Sequence, residues 1–219
     1  MNKEVRIAVI AGTPVDTQMG VEFLQEKGIC ASGYPVNHSP VEQVAFDVKP
    51  VGERMKKVQF MIDEIKKDGY QKIMVYCNSL SSTLDFSYLS EKNEIFIVTP
   101  MDAYQKLATK FHSLGVIAGS NQALAGIEQV IMRISPETEI YGVSLLSMVT
   151  GIERREEPDI LVQKHGLLHL LHYFETNQTE AIVLGCTHFP YLKGTLEKYA
   201  KVSILDPANI IYELLMFEE

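Results

Sequence analysis

Apolar residues in this chain fall into short unbroken runs, each closed by a turn residue. Between the runs lie longer stretches with apolar positions every three or four residues. The first pattern is that of parallel strands covered on both faces, the second that of amphipathic helices laid over them. The pattern predicts strands at Val5–Ala11, Ile29–Gly33, Lys72–Tyr76 and Ile95–Val98, then at Leu114–Ala118, Ile140–Val143, Ala181–Leu184 and Val202–Leu205. Gly12-Thr13-Pro14 turns the chain after the first strand, and Asp16-Thr17 is expected to cap a helix over Gln18–Lys27. Tyr34 to Pro40 reads as a loop fenced by two prolines, with His38 exposed in it. A helix over Glu53–Asp68 buries Met55, Val58, Met61, Ile62 and Ile65. Ser79, Ser81 and Ser82 suit the start of the next helix, and Met101–His112 is expected to cross to a second half of the molecule. There one helix runs to Arg133 and another over Ile160–Thr176, and a last helix from Asn209 should pack back on the first half.

The two halves echo each other. Ile7–Thr13 (IAVIAGT) matches Leu114–Ser120 (LGVIAGS) at an offset of 114 − 7 = 107. Ile95–Leu107 matches Val202–Leu214 at 202 − 95 = 107, and the cysteines closing two apolar runs, Cys77 and Cys186, are 186 − 77 = 109 apart. Matches in register across whole helices mark two copies of one unit. The expected fold is α/β, with two lobes related by a pseudo-twofold axis and an active site in the cleft between them. Each lobe is a short parallel sheet flanked by helices. The first lobe takes residues 1–99 plus 208–219 and carries Cys77; the second takes 100–207 and carries Cys186. A twofold relation turns equivalent strand ends towards each other, and such ends are where open α/β sheets bind ligands.

The chain's 219 residues suit two lobes of that size. A net charge of −8 without a basic stripe speaks against nucleic acid. Apolar runs far shorter than a membrane span, and no leader-like segment ahead of the first strand, give the expectation of a cytoplasmic protein away from membranes. The three cysteines are widely spaced and odd in number, so no disulfide framework is expected. Cys30 is expected in the core as a small apolar residue. No metal or cofactor is expected. There is no CxxC or HExxH; His165, His169 and His172 lack a carboxylate at matching spacing; and no lysine stands at a strand's carboxyl end to form a Schiff base. The charged stretch within Ser147–Pro158 reads as solvated surface.

Two thiols facing one cleft suggest a specific chemistry. A thiol ionises near pH 8.5, and a helix N-terminus or a cation lowers that value, so both are expected near neutrality. A substrate carbon held between them can lose a proton to one thiolate and gain one from the opposite thiol, which inverts its configuration. His188 would assist Cys186 and Asp16 would assist Cys77. Thr13, Asn78, Ser79, Ser120, Asn121 and Thr187, with strand-end amides, would hold a carboxylate and stabilise developing charge.

The segments LGCTHFPYL and YCNS resemble the two catalytic motifs of the aspartate/glutamate racemases. AGTPVDTQMG and LGVIAGS resemble their amino-terminal loop and the strand opening their second lobe. The resemblance implies a cofactor-independent amino-acid racemase acting through Cys77 and Cys186, often a homodimer. It also implies a substrate grip by Asn78, Ser79, Thr187 and neighbouring loops. Their proline-tyrosine-glycine loop is present only as Tyr34-Pro35-Val36, which places Pro35 among the expected substrate contacts. Their aspartate-serine-glycine loop has Asp16-Thr17 as its nearest match, so aspartate, glutamate or another amino acid remains the expected substrate. Alternatives are a hydantoin racemase, maleate isomerase or arylmalonate decarboxylase on the same scaffold, or a non-catalytic small-molecule binding protein.

Overall fold

The computed structural model describes residues 5–217. Its first sheet contains β1 (Arg6–Ala11), β2 (Cys30–Pro35), β3 (Lys72–Val75) and β4 (Phe96–Val98) in the order β2-β1-β3-β4. The second contains β5 (Ser113–Ala118), β6 (Glu139–Ser144), β7 (Ala181–Gly185) and β8 (Ser203–Leu205) in the order β6-β5-β7-β8. All pairings are parallel, and the second order repeats the first position by position. The molecule is α/β, two four-stranded parallel sheets flanked by helices.

The central strands are apolar throughout because helices cover both faces. On one face of the first sheet Ile10, Ile73 and Val75 pack with Val58, Ile62 and Ile65 of α3 (Val51–Lys67). On the other, Ile7, Val9 and Met74 pack with Val21 and Leu24 of α1 (Pro14–Glu26) and with Ile211, Leu214 and Leu215 of α12 (Ala208–Phe217). The chain passes between the sheets through α6 (Pro100–Leu107), whose Met101, Tyr104 and Leu107 enter a core shared with Leu114 and Val116 of β5. The sheets also meet where α4 (Asn78–Thr83) lies on α7 (Asn121–Ile134), the two helices joined by a hydrogen bond from Ser82 Oγ to the Gln122 carbonyl at 3.1 Å. A Cβ on Gly126 would come within 2.0 Å of Ser82 Cβ, so only glycine permits this approach.

Several local expectations change. Helix α1 starts at Pro14 with Thr13 as its cap, and Asp16, three residues in, returns a bond to the Thr13 amide. This is a capping box, and it supersedes a cap at Asp16-Thr17. Cys30 is exposed, because β2 is an edge strand with an open flank. The segment after the proline-fenced loop forms α2 (Pro40–Asp47), begun by Ser39 as cap and Pro40 at the first turn. The serine-rich stretch divides into α4 and α5 (Phe86–Asn93), and α6 stops at Leu107. The single helix expected over Ile160–Thr176 is two, α9 (Pro158–Lys164) and α10 (Leu167–Thr176). Gly166 breaks it by taking φ 66°, a left-handed conformation natural to glycine. Of the stretch Ser147–Pro158, Arg154, Arg155 and Glu157 are exposed as the charge run predicts, whereas the part up to Glu153 belongs to α8 (Leu146–Glu153), which buries Met148, Val149 and Ile152. The remaining helix, α11 (Pro190–Leu196), follows the Cys186 turn. Among the described residues no helix is long and apolar enough to cross a membrane.

Candidate active site

One cavity opens between the carboxyl ends of the two sheets, and both lobes line it from equivalent places. From the first lobe come Gly12 and Thr13 after β1, Asp16 of α1, and Cys77, Asn78 and Ser79 after β3. From the second come Gly119 and Ser120 after β5, and Cys186, Thr187 and His188 after β7. Pro40, Gln43 and Val44 of α2 face Leu146 and Val149 of α8 across the remaining walls. The expected residues Thr13, Asp16, Cys77, Asn78, Ser79, Ser120, Cys186, Thr187 and His188 thus converge. Pro35 and Asn121 do not. Pro35 ends edge strand β2 exposed to solvent, beside Ala11 in the ladder, and the side chain of Asn121 accepts the Ser144 hydroxyl outside the cavity.

Cys77 is the N-cap residue of α4, held at 5% exposure. Its Sγ lies 3.6 Å from Ser79 Oγ. Burial pushes the thiol well above its ordinary value, and the charges of Asp16 and then Asp47 push the same way. The Leu80 amide and the Ser79 hydroxyl pull back without reversing this. The expectation of a Cys77 thiol near neutrality is therefore corrected: a short helix's amides do not offset desolvation between two carboxylates. Asn78 is anchored by the Tyr104 hydroxyl, which donates to its Oδ1 at 2.6 Å; its amide nitrogen has no hydrogen-bond partner among the described residues.

Cys186 has different company. Its Sγ lies 3.7 Å from His188 Nδ1, and His188 Nε2 lies 3.1 Å from Glu153 Oε1. Burial alone would lower the His188 pKa. Its bonds to Cys186 and Glu153 and the charges of Asp16 and Cys186 outweigh that and push it up to about 10. The ring is an imidazolium at neutral pH, a cation held beside sulfur. Gly119 allows this crowding, since a Cβ there would stand 2.8 Å from Cys186 Sγ.

Hydroxyl-to-carboxylate hydrogen bonds also join the lobes at the cavity. Thr13 Oγ1 donates to Glu153 Oε1 at 2.5 Å, and Thr187 Oγ1 donates to Asp16 Oδ2 at 3.5 Å. Asp16 also accepts from the Thr13 amide at 2.7 Å and the Gly12 amide at 3.2 Å. Burial still raises its pKa, against His188 and those bonds. On Cys77 it acts by charge. Glu153, Gln43 and Asp47 are the residues that sequence reasoning missed. Glu153 was hidden in a run of mixed charge, yet it ends an apolar helical stretch as Asp47 does, and that parallel was the available signal.

A family model described as Asp/Glu/Hydantoin racemase matches residues 50–215. The chain belongs to that family. It is 27% identical over 169 residues to a glutamate racemase of Fusobacterium nucleatum, covering 75% of this chain and 63% of that one. It thus spans less than two thirds of the length of the curated relatives it matches first. The fold is that of the Francisella tularensis glutamate racemase crystallised with D-glutamate, at TM-score 0.70 and 20% identity over 97% of this chain and 81% of that one. It is shared too with the Picrophilus torridus aspartate racemase, at TM-score 0.61 and 15% identity over 97% and 93%.

Proposed function

We propose that this member of the Asp/Glu/Hydantoin racemase family is an amino-acid racemase that works without a cofactor and inverts the α-carbon by proton transfer between Cys77 and Cys186. The observation that carries the reading is that two thiols, delivered by equivalent strands of two like lobes, line one cavity together with short polar side chains from both. Asn78 Nδ2, the Ser79 and Thr187 hydroxyls and the strand-end amides after β5 suit an α-carboxylate. Asp16, with Thr13 and Thr187 around it, suits an α-ammonium.

In this mechanism one sulfur takes the α-proton from one face while the opposite thiol gives its proton to the other. The carbanionic intermediate lies between them, its charge drawn towards the carboxylate and the donors that hold it. His188 keeps a positive charge on the Cys186 side, and Glu153 orients the ring. Glutamate and aspartate, the substrates named for the relatives, are the first candidates. The reading extends to a homodimer, which the family resemblance implies, and to the cytoplasm, which the short apolar runs and the widely spaced cysteines suggest.

The test is proton NMR in deuterium oxide on single enantiomers of glutamate, aspartate and a panel of other amino acids, with no added cofactor. Loss of the α-proton signal together with appearance of the opposite enantiomer is the expected result. Binding without exchange for every amino acid would sink the reading and favour the binding-protein alternative; exchange confined to hydantoins would move the substrate class.

A further inference from the structure

The pseudo-twofold axis pairs more than the thiols. Helices α2 and α8 are both eight residues long, and their last residues are Asp47 and Glu153, an offset of 153 − 47 = 106. Two positions past each cysteine stand Ser79 and His188. Each lobe therefore carries a thiol, a polar side chain and a carboxylate in the same order of places. In the second lobe the set is closed by hydrogen bonds from Cys186 through His188 to Glu153. In the first it is not. Asp47 is 3% exposed; its Oδ1 accepts from Gln43 Nε2 at 2.7 Å, while Oδ2 is buried with no hydrogen-bond partner among the described residues.

The middle group decides what the carboxylate does to the sulfur. An imidazole can take up a proton and present a positive charge to its cysteine. A hydroxyl stays neutral, so the carboxylate behind it acts on sulfur as a bare negative charge. We propose that Asp47 is a positioning residue for Cys77: placed where the second lobe has Glu153, but with Ser79 where that lobe has His188, it keeps the proton on Cys77. The cleft then rests with a proton on Cys77. This consequence rests on the two-thiol reading above.

The groups facing this site agree on the sign. Asp16 of α1 and Asp47 of α2 both disfavour a Cys77 thiolate, and Ser79 and the Leu80 amide only moderate them. Burial pushes Asp47 itself up to about 6, against Ser79, Gln43 and the Arg54 guanidinium of α3, so it is charged at neutral pH. Lys57, also of α3, donates to Asn37 Oδ1 at 3.1 Å, and Asn37 in turn donates to Gln43, two side chains removed from the carboxylate.

The experiment is alkylation of the full chain by iodoacetamide across a pH series, with each cysteine read by peptide mass spectrometry. Cys30, which is exposed, and Cys186, which is half-buried, serve as internal references. Asp47→Asn should move the Cys77 midpoint to lower pH, with alkylation below the midpoint rising about tenfold for each unit moved. Asp47→Glu should stay near the native midpoint, because it restores the charge. If Asp47→Asn does not fold, Ser79→Ala removes the moderating hydroxyl and should move the midpoint upwards. An unmoved midpoint, a faster plateau at the native midpoint, or a Glu variant shifted as far as the Asn variant would overturn the assignment. None of these needs turnover: no α-proton exchange in the unaltered chain would defeat the racemase reading and leave this test standing.

Discussion

The two lobes share a strand order and the position of a thiol, but the second surrounds its thiol with cation and the first with anion. Beside Cys186 stands a protonated imidazole backed by Glu153; beside Cys77 stand a serine hydroxyl and two buried carboxylates. Backbone symmetry brings two sulfurs to one cavity, and a symmetric pair would have no preferred protonation state. Side-chain asymmetry supplies one. The lesson is that a duplicated scaffold can keep geometry in common while each copy sets its own charge.

The comparison is broken most severely by removing either sulfur. Cys77→Ser and Cys186→Ser should each lower racemisation about 10³-fold or more in both directions, because inversion requires an acid and a base on opposite faces. Polarimetry or chiral chromatography from each pure enantiomer measures this. A variant that keeps near-native rates from either enantiomer would show that its sulfur is not in the reaction path.

A smaller effect sharpens the contrast. Glu153→Gln removes the charged partner of His188 Nε2 and of Thr13 at once. A hydrogen bond to a charged group is worth about 1.5–3 kcal/mol, so kcat should fall roughly 10- to 100-fold. The imidazolium loses support, so the basic limb of the pH–rate profile should move to lower pH. A loss of rate with that limb unmoved would assign Glu153 to packing alone.

The smallest effect is on stability, and the lobes should show it in different pH windows. His188 is raised from 6.5 to about 10, so the folded state holds its proton more tightly than the unfolded chain. That contribution is complete below pH 6.5 and is lost as pH rises towards 10. Asp47 is raised from 3.8 to about 6 by burial, so its contribution is complete below pH 3.8 and is lost as pH rises through 6. Both make stability fall with rising pH. Denaturant midpoints across the pH range should show the lower window vanish in Asp47→Asn and the upper one shrink in Glu153→Gln.

Much of this architecture was legible because strands buried on both faces leave an unmistakable apolar run, and because β1 and β5 keep nearly the same residues through IAVIAGT and LGVIAGS. Cys77 and Cys186 could be paired for the same reason. The helices behind them were harder. The loop between two prolines hid α2, since eight residues are too few for periodicity to declare itself, although Ser39-Pro40 with Glu42 is a helix-start signature. Glu153 sits where an apolar helix runs into Arg154, Arg155, Glu156 and Glu157, so its burial depends on which way the chain turns next. Pro35 was expected at the site through resemblance, and the edge position of β2 carries it outside the lining.

Helix α6 is both the bridge between the sheets and the anchor of Asn78, through the Tyr104 hydroxyl. The element that carries the chain from one sheet to the other therefore also sets the orientation of a side chain lining the cavity, so the crossover and the site share one tyrosine.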